Sequence, residues 1–143
     1  PEDYFTFLKL LFIFSQNKGS KLQTIEEEAF FETSIKSITI PHEVTLIGKK
    51  AFGNCTQLQQ IIFSDDSKLQ TIEEEAFNRS SIMSIKIPSN VINLGKNTFY
   101  MLLIIEISEN SKLISIDEDI IQFHYKIVIL MIPAHFFISD NKI

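Results

Sequence analysis

The sequence has no tryptophan, a single cysteine (Cys55), and only 4 glycines and 4 prolines in 143 residues. One cysteine excludes an internal disulfide framework and a zinc site built on several thiolates. No glycine-rich phosphate loop, zinc motif or Ser/His/Asp arrangement is present, and His42, His124 and His135 lack metal-ligand spacing. These absences point away from an enzyme and call for no cofactor. Positive charge is also scarce. The net charge is −5, whereas a nucleic-acid binder needs a basic face to neutralise phosphates. No run is long enough to be a membrane segment. The stretch Tyr4 to Phe14 is short and broken by Lys9, and a span needs roughly 18 apolar residues. Pro1, Glu2 and Asp3 precede it where a signal peptide would carry positive charge. With no initiator methionine, the chain is expected to be a piece of a longer protein whose signal or anchor lies elsewhere.

What the chain has in quantity is repetition. Hydrophobic residues make up 45% of it, rich in isoleucine and phenylalanine, a bias that favours strands. The segment SKLQTIEEEAF occurs unchanged at Ser20–Phe30 and Ser67–Phe77, 47 positions apart (67 minus 20). Weaker copies run from Val44 to Phe52 and from Val91 to Phe99, and a degenerate one begins at Ser111. The markers Phe30, Phe52, Phe77 and Phe99, with Ile121 in the fifth slot, step by 22, 25, 22 and 22 residues. A unit of that length holds one strand and one short return.

Each unit carries two apolar signatures. In the second, Ile35-x-x-Ile38-x-Ile40 recurs as Leu58/Ile61/Phe63, Ile82/Ile85/Ile87, Leu102/Ile105/Ile107 and Ile127/Leu130/Ile132. It ends in period-two alternation, the mark of a strand with one buried face. Pro41, Pro88 and Pro133 would close three of these strands. The first signature, Leu22-x-x-Ile25-x-x-x-Ala29-Phe30, reads as a loop ending in a short helical turn. Thr24-x-x-Glu27, Thr71-x-x-Glu74 and Ser115-x-x-Glu118 fit a capping box there. Gly48 and Gly95 stand in the even units, where an unusual backbone angle is expected. One unit cannot bury its own apolar side, so stacking must do it. The fold expected is an α/β repeat, a leucine-rich-repeat solenoid of about five repeats. Short strands form one parallel sheet, with short helical or loop returns. Residues 1–19 form a partial N-terminal repeat or flank, 20–133 the solenoid and 134–143 a C-terminal tail.

The pattern L-x-x-I-x-x-x-A-F-x-x-C-x-x-L-x-x-I, matched best from Ile47 to Ile61, resembles the BspA-like leucine-rich repeat family. The departures are Cys55 as the lone cysteine at its position, Thr98 for the small alanine, and three residues lost between Phe99 and Leu102. The family comprises surface antigens and adhesins. The resemblance implies a non-enzymatic protein-interaction module at the cell surface or outside the cell, binding host or cell-surface proteins. The alternative is an intracellular scaffold that uses the same solenoid to hold a protein partner.

Alternation assigns the working surface. Ser37, Thr39, Gln60, Ile62, Ser84, Lys86, Ile104 and Glu106 should point outward from the strands as a partner-binding face, followed by Ile129 and Met131. Asn54-Cys55-Thr56 and Asn78-Arg79-Ser80 fit the N-glycosylation pattern, which makes Asn54 and Asn78 candidate acceptors. The acidic runs Glu26–Glu28 and Glu73–Glu75 read as a solvated face. Aligned by unit, one column is Glu27, Lys49, Glu74, Lys96, Glu118, so opposite charges should neighbour each other along the stack.

Overall fold

In a computed structural model the chain is a parallel-strand solenoid. The structure describes residues 21–120, 129–131 and 137–139. The flank at 1–19, the stretch Tyr4–Phe14, His124, His135 and Pro133 lie outside these residues.

Each of the first five rungs contributes two strands. The short ones are β1 (Thr24–Ile25), β3 (Leu46–Ile47), β5 (Thr71–Ile72) and β7 (Asn93–Leu94), which pair in that order as a four-stranded parallel sheet. The long ones are β2 (Ser37–Ile40), β4 (Gln60–Phe63), β6 (Ser84–Ile87), β8 (Ile104–Ile107) and β10 (Ile129–Met131). β9 (Ser115–Asp117) pairs in parallel with β11 (Phe137–Ser139), a strand in the segment expected to be a tail. The first signature therefore starts as a strand rather than a loop.

Returns differ from expectation too. Instead of a helical turn, each runs through residues of positive φ: Glu28, Lys50, Glu75 and Asn97, with Glu32, Asn54 and Arg79 four positions beyond the first three. Alternate amides point sideways. Glu28, Phe30 and Glu32 donate to the carbonyls of Lys49, Ala51 and Gly53, while Ala29, Phe31 and Thr33 donate back to Glu26, Glu28 and Phe30. A helix would commit all of these donors within its own rung, so the lateral bonds and a helix exclude each other. Among the described residues only Glu118–Ile120 forms a helical turn, of the 3-10 type. The two glycines lack positive φ. They are needed for closeness: a Cβ on Gly48 would stand 2.7 Å from the Glu27 nitrogen, and one on Gly95 would press still closer on that of Glu74.

The core is a set of columns. Phe30, Phe52, Phe77 and Phe99 are buried and stack with ring centroids 5.0, 5.3 and 5.8 Å apart and nearly parallel planes. Ile25, Ile47 and Ile72 form a second column and Val44, Leu69, Val91 and Leu113 a third. Thr98 takes the alanine slot by donating its buried hydroxyl to the Gly95 carbonyl. Cys55 is buried, with Sγ 3.0 Å from the Phe30 carbonyl oxygen and 3.3 Å from Thr33 Oγ1. Burial pushes its thiol pKa up, which makes it a packing residue.

The long strands do not form one sheet. β2 pairs with β4, and β6 with β8 and β10, but β4 and β6 are not paired. Those two rungs are tied where the Ser81 amide donates to Leu58 (2.9 Å) and on the far side where β3 and β5 pair. Between these ties the long strands splay, and Ile61 and Phe63 are only half-buried while Ile85 and Ile87 are buried.

The charge column is present in part. Lys49 reaches Glu74 (3.1 Å) and Lys50 reaches Glu75 (3.7 Å). Glu74 chiefly, with weaker help from Glu75 and Glu27, holds the Lys49 ammonium above its ordinary pKa. At the fifth rung the partner of Lys96 is Asp119 (3.2 Å), one residue past the expected column. The 3-10 turn explains the slip, because it brings the Asp119 carbonyl to the Asn97 amide.

Three outcomes test this architecture. Phe77→Ala removes a central ring between Phe52 and Phe99 and should cost about 3–5 kcal/mol in urea denaturation. A loss under about 1 kcal/mol would contradict the stacked column. Gly95→Ala should destabilise by about 1–3 kcal/mol through the backbone clash, and an unchanged melting temperature would refute the close approach. Lys49→Glu places a carboxylate between Glu27 and Glu74. It should lower the melting temperature at low salt, with the loss shrinking as salt screens the exposed charges. A salt-independent loss would implicate packing instead.

Candidate interaction surface

Parallel pairing puts the outward side chains in register. Ser37 lies opposite Gln60 and Thr39 opposite Ile62. Across the break, Ser84 lies opposite Ile104 and Lys86 opposite Glu106, and in the backbone register of β10 Ile129 pairs with Ile104 and Met131 with Glu106. Ser37, Thr39, Gln60, Ile62, Ser84, Lys86 and Ile104 are exposed and Glu106 is half-buried. The strands thus present all eight expected residues on one side, in two blocks. Lys86 Nζ stands 3.6 Å from Glu106 Oε1 and links two strands of the second block.

The break adds a feature that period-two reasoning misses. Between β4 and β6 lies a cleft of about 350 Å³ lined by Ile61, Phe63, Asp65, Lys86, Pro88 and Asn110, among others. It divides the outward face near its middle. A second recess, at the corner where the return meets the long strands, surrounds Met83 and Met101. The three residues lost between Phe99 and Leu102 were its one signal in the sequence.

Past the end of β2 stands a small polar group. His42 Nε2 sits 3.0 Å from Glu43, which also receives Lys68 at 2.7 Å. The Lys68 bond, more than any other contact, holds the Glu43 carboxyl below its ordinary pKa. The group is a surface ion pair. Among the described residues no set of three or more His, Cys, Asp or Glu side chains is placed to hold a metal ion. In the same residues no helix is long and apolar enough to cross a membrane.

Asn54 and Asn78 sit on neighbouring rungs, joined by the bond from the Asn54 amide to the Asn78 carbonyl. Both are half-buried. Asn54 Nδ2 donates to Glu32 (3.2 Å) and Asn78 Nδ2 to Glu75 (3.4 Å).

Comparison with known proteins places this architecture. None of the curated proteins matches the chain. The crystal structure of the pneumococcal vaccine antigen PcpA is similar, with 33% identity and a TM-score of 0.63 over 66% of this chain and 24% of that one. A leucine-rich cell surface protein from Faecalibacterium prausnitzii is similar at 25% identity and a TM-score of 0.53 over 68% of this chain and 32% of that one. This chain thus spans a quarter to a third of the length of these relatives. The family model for the BspA type leucine rich repeat region matches residues 23–142 in 6 copies. With the columns of isoleucine and phenylalanine and the parallel rungs in place, that match assigns the chain to the BspA-type leucine-rich-repeat family.

Proposed function

We propose that the chain works by binding a protein on its exposed long-strand face and performs no chemistry. The observation that carries this reading is the register of the outward rows. Ser37, Gln60, Ser84 and Ile104, with Thr39, Ile62, Lys86 and Glu106 beside them, stand on strands paired residue by residue. The backbone beneath them is already ordered, so a partner meets a surface that loses little further entropy on binding. The mix suits a protein partner: small polar groups and a charge pair, with Ile62 and Ile104 as apolar contacts. Leucine-rich repeats generally serve as interaction scaffolds, and the similar structures are an antigen and a cell surface protein. On that basis the chain acts at the cell surface against a host or cell-surface protein, with Asn54 and Asn78 as candidate glycan acceptors.

The test is a surface-binding or pull-down assay against host-cell proteins. It compares the wild type with the combined Gln60→Ala, Ser84→Ala and Lys86→Ala variant. Binding should be lost while circular dichroism and melting temperature stay nearly unchanged, because exposed substitutions alter stability by about 0.5 kcal/mol or less. Equal binding by the variant would remove the strand face from consideration. The charged return face around Glu27, Lys49 and Glu74 would then be tested next.

A further inference from the structure

The connection from the phenylalanine column to the long strand is abruptly short on the fourth rung. It takes five steps from Phe30 to Ile35 (35 minus 30), six from Phe52 to Leu58 (58 minus 52) and five from Phe77 to Ile82 (82 minus 77), but three from Phe99 to Leu102 (102 minus 99). The fourth rung therefore cuts a corner that the third rung still turns in full. Lateral bonding reflects the step. Glu32 donates to Gly53 and Asn54 to Asn78, and among the described residues no such bond runs from Arg79 to the fourth rung. The step leaves a recess of about 440 Å³ lined by Thr56, Arg79, Ser81, Met83, Tyr100 and Met101, among others.

Two properties of the recess define what fits it. The first is apolar. Met83 is 55% exposed and Met101 46% exposed, and methionine adapts its shape to an incoming apolar group. The second is a free cation. Lys49, Lys50, Lys68, Lys86 and Lys96 each face a carboxylate, whereas Arg79, like Lys21, Lys36 and Lys112, has no ion-pair partner among the described residues, and of these four only Arg79 lines the recess. Arg79 is also the sole arginine of a chain with net charge −5. A guanidinium holds a carboxylate through two parallel hydrogen bonds, a geometry that lysine lacks.

We propose that this recess docks a protein segment that carries a leucine or aromatic side chain next to an aspartate or glutamate. The apolar side chain enters between Met83 and Met101, and the carboxylate pairs with Arg79. Charge complementarity selects an acidic segment over a basic one. The recess lies at the entry to β6 and β8, beside Ser84 and Ile104 but separate from their outward rows, so it does not depend on the strand-face reading.

The probe is a fluorescein-labelled hexapeptide with one phenylalanine between two aspartates, compared with a twin that has asparagines in their place. Fluorescence anisotropy reads affinity, and methyl-labelled methionine NMR reads location, since the chain has only Met83, Met101 and Met131. The aspartate peptide should shift the Met83 and Met101 signals and leave Met131 in place. It should bind about tenfold more tightly than its twin, the order expected for a charged hydrogen-bonded pair. Arg79→Asn should abolish that difference. Asparagine suits the positive φ at 79, because Asn54 holds the same angle one rung earlier. Met83→Ser should weaken both peptides with no change in melting temperature. The combined Gln60, Ser84 and Lys86 variant should bind the peptide normally, so failure here and failure of the strand face are told apart. Equal binding of the two peptides, an unchanged preference in Arg79→Asn, or no shift at Met83 and Met101 would each overturn the proposal.

Discussion

In the return of each rung the amides alternate between two partners. One donates to the next rung and the following one donates three residues back in its own. Much of the structure follows from this. An amide that must point sideways cannot take part in a helix, so the return is a chain of turns. Turning the chain between lateral donors puts Glu28, Lys50, Glu75 and Asn97 at positive φ, a conformation uncommon for residues other than glycine. Their cost is met by the bonds to the neighbouring rung, and each rung holds the geometry of the one before it. The lateral bonds also bring the phenylalanine rings into stacked contact. Burying such a ring is worth about 1.5–3 kcal/mol. Only glycine fits at 48 and 95, because the rungs approach there more closely than a Cβ allows.

How much of this the sequence discloses depends on the length over which a signal is written. Phe30, Phe52, Phe77 and Phe99 recur across the chain, so the column was legible from spacing alone. The outward residues of the long strands were legible because four alternating residues suffice to show a period of two. The short strands were not, since Thr24–Ile25 and its equivalents span two residues and show no period. Positive φ at Glu28 or Asn54 has no compositional mark, because a lateral hydrogen bond decides it and glycine does not. The capping-box pattern misled for the same reason: Thr24 and Thr71 lie in strands, and Glu27 and Glu74 face solvent beside lysine columns. The fifth rung slipped by one position at Asp119 where its turn became 3-10, a change that no spacing announces.

Because each rung touches only its neighbours, a solenoid tolerates local departures without losing the whole. The regular columns supply stability and a nearly flat strand face. Concave features arise where regularity fails, at the unpaired boundary of β4 and β6 and at the shortened corner after Phe99. The outward rows, Ser37, Gln60, Ser84, Ile104 and Thr39, Ile62, Lys86, Glu106, mark a rung by side-chain identity alone, on a backbone that repeats. A cleft and a recess at fixed rungs add marks of shape, since each occurs at one place along the described solenoid. Repetition therefore builds the platform, and the breaks in repetition give it addresses.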